Sequence, residues 1–382
     1  MSTPDPSVPD PRPDPRPDPR SDSRPDRSDV DAVVLVGGKG TRLRPLTLSA
    51  AKPMLPTAGV PFLEHLLSRI RDAGMRHVVL GTSYKAETFT EHFGDGSAFG
   101  LDIEYVVETE PMGTGGAIRN VLDKLRSDTA MIFNGDILSG VDLGALLDTH
   151  RDNTADVTLH LVRVPDPRAF GSVPTDADGR VQAFLEKTDT PPTDQINAGC
   201  YVFKTSVIAE IPSGRVVSVE RETFPGLLEA DARVFGHVDS SYWLDLGTPG
   251  AFVQGSADLV GGVAPTGALP GPPGAALVLP GAQVAEQTVV GGGSTVGRRV
   301  RVGLGAVLES AVVFDDAVIG EHARVLRSVV GAGAVIGEGS VIEDAVIGDR
   351  AVVGAHCELR RGVRVWPDVE LPEAGVRFSA DI

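Results

Sequence analysis

A chain of 382 residues with 41% hydrophobic content is long enough to build two cores rather than one. Its net charge of -17, with no concentrated basic stretch, excludes a nucleic-acid backbone as the main partner, although a few local donors and a metal ion suffice to hold a nucleotide. Two widely separated cysteines, Cys200 and Cys357, exclude a disulfide framework and a zinc-ligand spacing, and the lack of any span-length apolar run or signal-peptide core gives an expectation of a cytoplasmic protein.

The first 30 residues form a regime of their own. Pro-Asp-Pro-Arg recurs within residues 11–20 and apolar residues are almost missing, so residues 1–30 are expected to be a disordered, solvated tail. Residues 32–36, rich in valine and followed by Gly37-Gly38, predict a buried strand feeding a glycine loop. Phe62, Leu63, Leu66, Leu67 and Ile70 recur at helical spacing and predict a helix over 62–73, stopped by Gly74. Strand-like runs follow over 78–80, 103–107 and 131–133, with a helix-like stretch over 117–125. Strands alternating with helices imply an α/β domain over residues 31–258, with a mostly parallel sheet covered on both faces. Ligands of such sheets bind outside the carboxyl ends of the strands, where the glycine loop and Asn134-Gly135-Asp136 both fall.

Residues 259–276, rich in Gly, Pro and Ala, are expected to be a linker. A repeat then occupies residues 277–382. Val302-Gly303, Ile319-Gly320, Ile336-Gly337 and Val353-Gly354 are 17 residues apart, and Leu308, Val325, Ile342 and Leu359 keep the same step. Apolar residues recurring every five or six positions, with small residues at bends, mark a hexapeptide β-helix. About five coils of roughly 18 residues are expected, each burying its inward side chains on its neighbours.

The strongest chemical signal is Gly37-Gly38-Lys39-Gly40-Thr41-Arg42-Leu43-Arg44-Pro45. Glycines let backbone N–H groups close around phosphate oxygens, and Arg42 adds a planar, permanently charged donor. A plain strand-to-helix turn accounts for one or two of these glycines, but not for three beside two arginines. Leu43 stands where a dinucleotide fingerprint needs its third glycine, and Lys39 is followed by Gly40 rather than by the Ser or Thr of a Walker loop.

This loop, together with Pro45-Leu46-Thr47-Leu48-Ser49 and Lys52-Pro53-Met54-Leu55, resembles the signature of the nucleotide-sugar pyrophosphorylases. Six further motifs fall in the order typical of that family: Gly113-Thr114-Gly115-Gly116, Asn134-Gly135-Asp136, Phe184-Leu185-Glu186-Lys187, Asn197-Ala198-Gly199, Ser218-Val219-Glu220-Arg221-Glu222 and Tyr242-Trp243-Leu244-Asp245-Leu246-Gly247. The resemblance spans residues 31–382. It implies a Rossmann-like nucleotidyltransferase domain with a mixed, mostly parallel sheet, followed by a left-handed parallel β-helix.

The wording of the motifs favours GTP and mannose 1-phosphate as substrates, with GDP-mannose and diphosphate as products. Two anions must be brought together, so positive charge and positioning supply most of the catalysis. The resemblance places Asp136 and Asp245 on a magnesium ion, which typically takes one or two carboxylates besides substrate phosphates and water. Arg42 and Lys52 would neutralise the triphosphate, and Lys187 would touch the sugar phosphate. Val36, Gly37, Gly38, Gly40 and Thr41 would line the nucleotide, with Gly113, Thr114 and Gly115 close to the base. Gly135, Gly171, Glu186 and Asn197 would line the sugar. Glu220-Arg221-Glu222 reads as a salt-bridged helix start with no catalytic role.

Three other readings stay open. A sister enzyme would use glucose 1-phosphate with UTP, dTTP or ATP. A non-catalytic regulatory subunit would bind nucleotide-sugar, yet should lack one of the charges Arg42, Lys52, Asp136, Lys187 and Asp245, all of which are present. The β-helix could itself be an acyltransferase using His322 or His356, but both flank charged residues that suit solvent-facing turns. Its end coils leave unpaired edges, so a homo-oligomer is expected.

Overall fold

The computed structural model describes residues 25–83, 85–185, 187–374 and the backbone of 377–379. Of the expected tail, residues 1–24 lie outside the described residues, and 25–29 are tied to the fold. Arg27 Nη1 donates to the Ala73 carbonyl at 2.7 Å, and Arg151 pairs with Asp29 at 2.5 Å.

The first domain is built on one twisted sheet. Its strands in chain order are β1 (Val30–Leu35), β2 (His77–Thr82), β3 (Asp102–Val107), β4 (Thr129–Asn134), β6 (Val157–Arg163), β7 (Gln195–Lys204) and β8 (Val234–Asp239). A separate ribbon pairs β5 (Ile137–Ser139) with β9 (Trp243–Asp245) in antiparallel fashion. The spatial order of the sheet is β8-β6-β7-β4-β1-β2-β3. Only β7 runs antiparallel to its neighbours β4 and β6, so the sheet is mixed and mostly parallel. Strands such as β1 are apolar nearly throughout because both faces of the sheet are covered. Met131 and Val78 belong to the core on one face, and Ile132 and Val79 to the core on the other.

The main helices are α1 (Phe62–Asp72), α2 (Ala86–Phe93), α3 (Gly113–Asn120), α4 (Leu143–Asp152), α5 (Thr205–Glu210), α6 (Phe224–Glu229) and α7 (Pro249–Gly261). Helix α3 differs from the expected 117–125. It starts within the glycine motif and gives way to a 3-10 turn at Leu122–Lys124. Its early start rests on close packing: the Gly115 and Gly116 amides both donate to the Val217 carbonyl, at 2.9 and 3.2 Å. No helix among the described residues is long and apolar enough to cross a membrane.

From Ala276 onward the chain winds into a parallel β-helix with three six-stranded sheets. That makes six coils rather than about five. The 17-residue step holds in the middle, as in Val312↔Val329↔Val346. It lengthens to 18 at both ends, Ala276↔Ser294 and Val346↔Arg364, which hides the terminal coils from a search at constant spacing. Val302, Leu308, Ile319, Val325, Ile336, Ile342, Val353 and Leu359 fill the interior. His322 and His356 sit at corners with positive φ, exposed to solvent. The two domains share apolar contacts, with Leu43, Leu46 and Leu55 packed on Val312, Phe314, Val329 and Val346.

Candidate active site

β1 and β4 are parallel neighbours, and Leu35 pairs with Asn134 at their carboxyl ends. The chain therefore leaves the sheet twice at one spot, through Gly37-Gly38 and through Gly135-Asp136. The strands lie so close there that a Cβ on Gly135 would fall 2.5 Å from Val36 Cγ1 and 2.7 Å from the Leu35 carbonyl oxygen. Gly40 turns the loop in the left-handed conformation, φ 58, and a Cβ there would lie 2.9 Å from Thr47 Cγ2. Ser83 Oγ holds the loop by donating to the Gly37 carbonyl at 2.5 Å.

A cleft of ≈ 360 Å³ opens at this spot, lined by Val36, Gly37, Gly38, Lys52, Gly113, Thr114, Gly135 and Asp136 among others. Gly40, Thr41 and Arg42 do not line it. Arg42 reaches the site from outside, with Nη2 3.8 Å from Asp245 Oδ2. Gly115 does not line it either; a Cβ there would meet Val217 Cγ1 at 2.8 Å, away from the cleft. The glycines of this motif thus serve helix packing as well as the approach of a ligand.

Asp136 and Asp245 are brought together by the β5–β9 ribbon, in which Asp245 pairs with Ile137. Lys52, almost fully buried, lies between them. Its Nζ is 2.8 Å from Asp136 Oδ2 and 3.8 Å from Asp245 Oδ1. Burial, and then the charge of Asp136, push the Asp245 carboxyl above its ordinary value, while Lys52 and Arg42 pull it down. Asp245 Oδ1 is buried without a hydrogen-bond partner. An orphaned carboxylate oxygen beside a second carboxylate fits a hard divalent cation that keeps most of its ligands from phosphate and water. Among the described residues no third acidic, His or Cys side chain joins them.

A second cleft of ≈ 450 Å³ is lined by Gly171, Lys187 and Asn197 with Phe170, Phe184, Glu220 and Arg221. Lys187 follows the Leu185 bridge to Ser172, and a Cβ on Gly171 would lie 2.9 Å from the Leu185 carbonyl oxygen. Glu186 is not among the described residues. The Asn197 side chain donates to the Tyr201 hydroxyl at 2.8 Å and to Glu220 Oε1 at 3.3 Å, which fixes its orientation. The two clefts lie side by side at the carboxyl end of β4: Asn134 lines the first, and its Nδ2 would be 2.8 Å from a Cβ on Gly199, two residues after Asn197.

Two acidic residues stand where sequence reasoning did not place them. Glu220 and Arg221 face the second cleft from a π-helical turn, Val219–Thr223, whereas Glu222 turns away to pair with Arg215 at 2.7 Å. The reading of that motif as a salt-bridged helix start describes Glu222 but not Glu220. Glu108 lines the first cleft next to Gly37, and burial raises its carboxyl above the ordinary value. Its one sequence signal was an acidic residue directly after a strand.

Residues 31–261 match the nucleotidyl transferase family and residues 273–379 match the GMPPB C-terminal domain. A mannose-1-phosphate guanylyltransferase of Mycobacterium tuberculosis is 65% identical over 354 residues, covering 92% of this chain and 99% of the relative. A mannose-1-phosphate guanylyltransferase of Arabidopsis thaliana is 31% identical over 314 residues, covering 78% of this chain and 85% of that one. Among solved structures, HddC from Yersinia pseudotuberculosis complexed with GMP-PN is 28% identical with a TM-score of 0.53, covering 60% of this chain and 99% of that one.

Proposed function

Because the chain belongs to the nucleotidyl transferase family, and within it to the mannose-1-phosphate guanylyltransferases, we propose that it transfers the guanylyl group of GTP to mannose 1-phosphate. A phosphate oxygen of the sugar attacks the α-phosphorus in line. The new bond joins that oxygen to the α-phosphorus, the bond from the α-phosphorus to the bridging oxygen breaks, and diphosphate leaves with its electron pair. The attacking oxygen is already ionised at neutral pH, so no general base is required. The residues must instead collect two anions and hold them in line.

The observation that carries this reading is the pair of adjoining clefts with Lys52, Asp136 and Asp245 clustered at the first. The loop backbone at Gly37 and Gly38 receives the triphosphate, Lys52 and Arg42 neutralise it, and Lys187 binds the sugar phosphate. Gly135, Gly171 and Asn197 shape the sugar site, and Glu220 extends it. Asp136 and Asp245 would hold magnesium, which when bound offsets charge on the triphosphate and the departing diphosphate.

Glu108 supports guanine as the base. The Met112 amide meets the half-buried Glu108 carboxylate, but burial still outweighs it, so in a cleft for a polyanion the carboxylate calls for further donors. Guanine offers two adjacent ones, N1–H and the exocyclic amino group. Uracil and thymine present only one N–H there, and adenine has no N1–H. Glu108→Gln replaces an acceptor with a donor and is expected to cut the preference for GTP over UTP, dTTP and ATP by about 1–3 kcal/mol, or roughly five- to hundredfold in relative kcat/KM. The measurement is diphosphate release across that panel with mannose 1-phosphate and glucose 1-phosphate. An unchanged GTP preference removes Glu108 from base reading, and a wild-type protein indifferent to GTP defeats the reaction itself.

Assembly through the β-helix is part of the same reading. The strands of the first coil pair with the second coil on one side only, end the three sheets, and expose Val278, Val284 and Val289, an arrangement suited to a second copy. Light scattering on the full chain is expected to show at least a dimer, and a monomeric mass excludes it.

A further inference from the structure

One sheet of the β-helix carries an apolar column on its outer side. Thr295, Val312, Val329 and Val346 stand in register, and Arg364 follows them. Their neighbours Val313, Val330 and Ile347 fill the interior of the coil, so by strand alternation the column points outward. It is not left to solvent. Val312, Val329 and Val346 are buried against Leu43, Leu46 and Leu55 of the first domain. Leu43 follows Arg42 directly, and Leu55 comes three residues after Lys52.

Two polar contacts close the same seam. Ser49 Oγ donates to Asp349 Oδ2 at 2.5 Å, while the other oxygen of Asp349 accepts from the Ala332 amide at 2.9 Å. Arg364 Nη1 donates to the Arg44 carbonyl at 2.8 Å. These bonds join residues 300 and 320 positions apart in the chain. The segment they hold is poor in structure of its own. It consists of 3-10 turns at Thr41–Leu43 and Lys52–Met54 and a four-residue helix at Leu46–Ser49. A segment with so few internal hydrogen bonds takes its geometry from what it packs against.

We propose that the β-helix is the seat that orients the triphosphate-binding segment, with Asp349 and Arg364 as positioning residues acting through Ser49 and Arg44 on Arg42 and Lys52. This rests on the reading above that Arg42 and Lys52 meet the triphosphate. The seam connects to the nucleotide cleft through the chain itself, since Lys52 and Pro53 line that cleft three and two residues before the seam residue Leu55, whereas no residue of this segment lines the sugar cleft. Its loss therefore loosens one substrate and not the other.

The test is steady-state kinetics on the full chain, varying GTP and mannose 1-phosphate separately, with Ser49→Ala, Asp349→Ala, Asp349→Asn and the Ser49→Ala/Asp349→Ala double variant. Each alanine variant is expected to raise KM for GTP by about three- to tenfold, within the range of one lost hydrogen bond, and to leave KM for mannose 1-phosphate within about twofold. The double variant is no worse than Asp349→Ala alone, because the Ser49 bond is already lost there. Asp349→Asn keeps its oxygen on the Ala332 amide and turns its NH2 toward Ser49 Oγ, which then accepts instead of donating, and so recovers most of the loss. Ser49→Ala leaves the β-helix untouched and stays informative where Asp349→Ala fails to fold. Equal rises in both KM values, or a lower Tm with KM for GTP unchanged, overturn the proposal. Calorimetric titration of each variant with GTP, UTP, dTTP and ATP separates it from the reaction assigned above. Weaker triphosphate binding in the variants supports the seat whichever base the wild type prefers, and unweakened binding overturns it.

Discussion

Asp136→Asn is expected to lower kcat for diphosphate release from GTP and mannose 1-phosphate by at least about a thousandfold, roughly 4 kcal/mol of transition-state stabilisation. The substitution keeps the size and shape of the side chain and removes its charge. In the free protein that charge makes one contact of note, to Lys52 Nζ at 2.8 Å, on a side chain 39% exposed. Lys52 is buried but keeps Asp245 at 3.8 Å, and removing the Asp136 charge relieves its repulsion of Asp245, so the two effects offset and Tm should move by only a few degrees. Losing nearly all turnover with little change in stability is the signature of a group needed for the chemistry rather than the fold. Wild-type turnover in Asp136→Asn would remove the carboxylate from the reaction.

The same variant separates a cation-binding role from a purely electrostatic one. Asp245 holds a buried oxygen with no hydrogen-bond partner, and its carboxyl is raised by burial and by the charge of Asp136. A cation that binds the folded pair and not the unfolded chain must stabilise the protein, by about 2.7 kcal/mol at 100 times its dissociation constant. Magnesium or manganese should therefore raise the wild-type Tm at neutral pH without any substrate present. The increment should be largely lost in Asp136→Asn. Equal increments in both proteins would mean that the ion binds elsewhere.

What could be read in the sequence, and what could not, follows the range of the forces involved. The glycine loop and Asn134-Gly135-Asp136 were legible because each follows a run of buried apolar residues and contains a glycine at a point of close backbone approach. The Gly135 position, squeezed between Val36 and Leu35, shows why. The β-helix was legible over residues 277–382 because its interior columns must repeat, and the count of coils fell one short because the steps at its two ends are 18 or 19 residues rather than 17. Helix α3 was misplaced because glycine argues against a helix locally, while here Gly115 and Gly116 let the first turn press onto Val217. Glu108, Glu220 and the outward valines of the β-helix were beyond local reading altogether. Nothing in Glu108-Thr109-Glu110 says which carboxylate enters the cleft. Nothing in the repeat says that Val312, Val329 and Val346, on the outer face, will be covered by another domain. Those facts exist only once distant segments have met.

The second cleft makes the other large prediction. Lys187→Ala is expected to raise KM for mannose 1-phosphate by roughly 10- to 150-fold, the equivalent of about 1.5–3 kcal/mol for a hydrogen bond between charged groups. KM for GTP should stay within about twofold, because Lys187 lines only the cleft formed by Gly171, Asn197, Phe170 and Phe184. Lys187 and Arg221 are its two cationic lining residues, facing the acidic Glu220. A dianionic sugar phosphate therefore depends heavily on each of them. Lys187→Arg keeps the charge but replaces a compact ammonium with a broader planar guanidinium, which meets a phosphate at a different distance and angle. It should rescue the binding of the phosphate only in part, and cost kcat more than KM, since an anion held at a slightly wrong distance is bound but not aligned for in-line attack. An unchanged KM for mannose 1-phosphate in Lys187→Ala would move the sugar phosphate away from this cleft, and with it the assignment of Gly171 and Asn197.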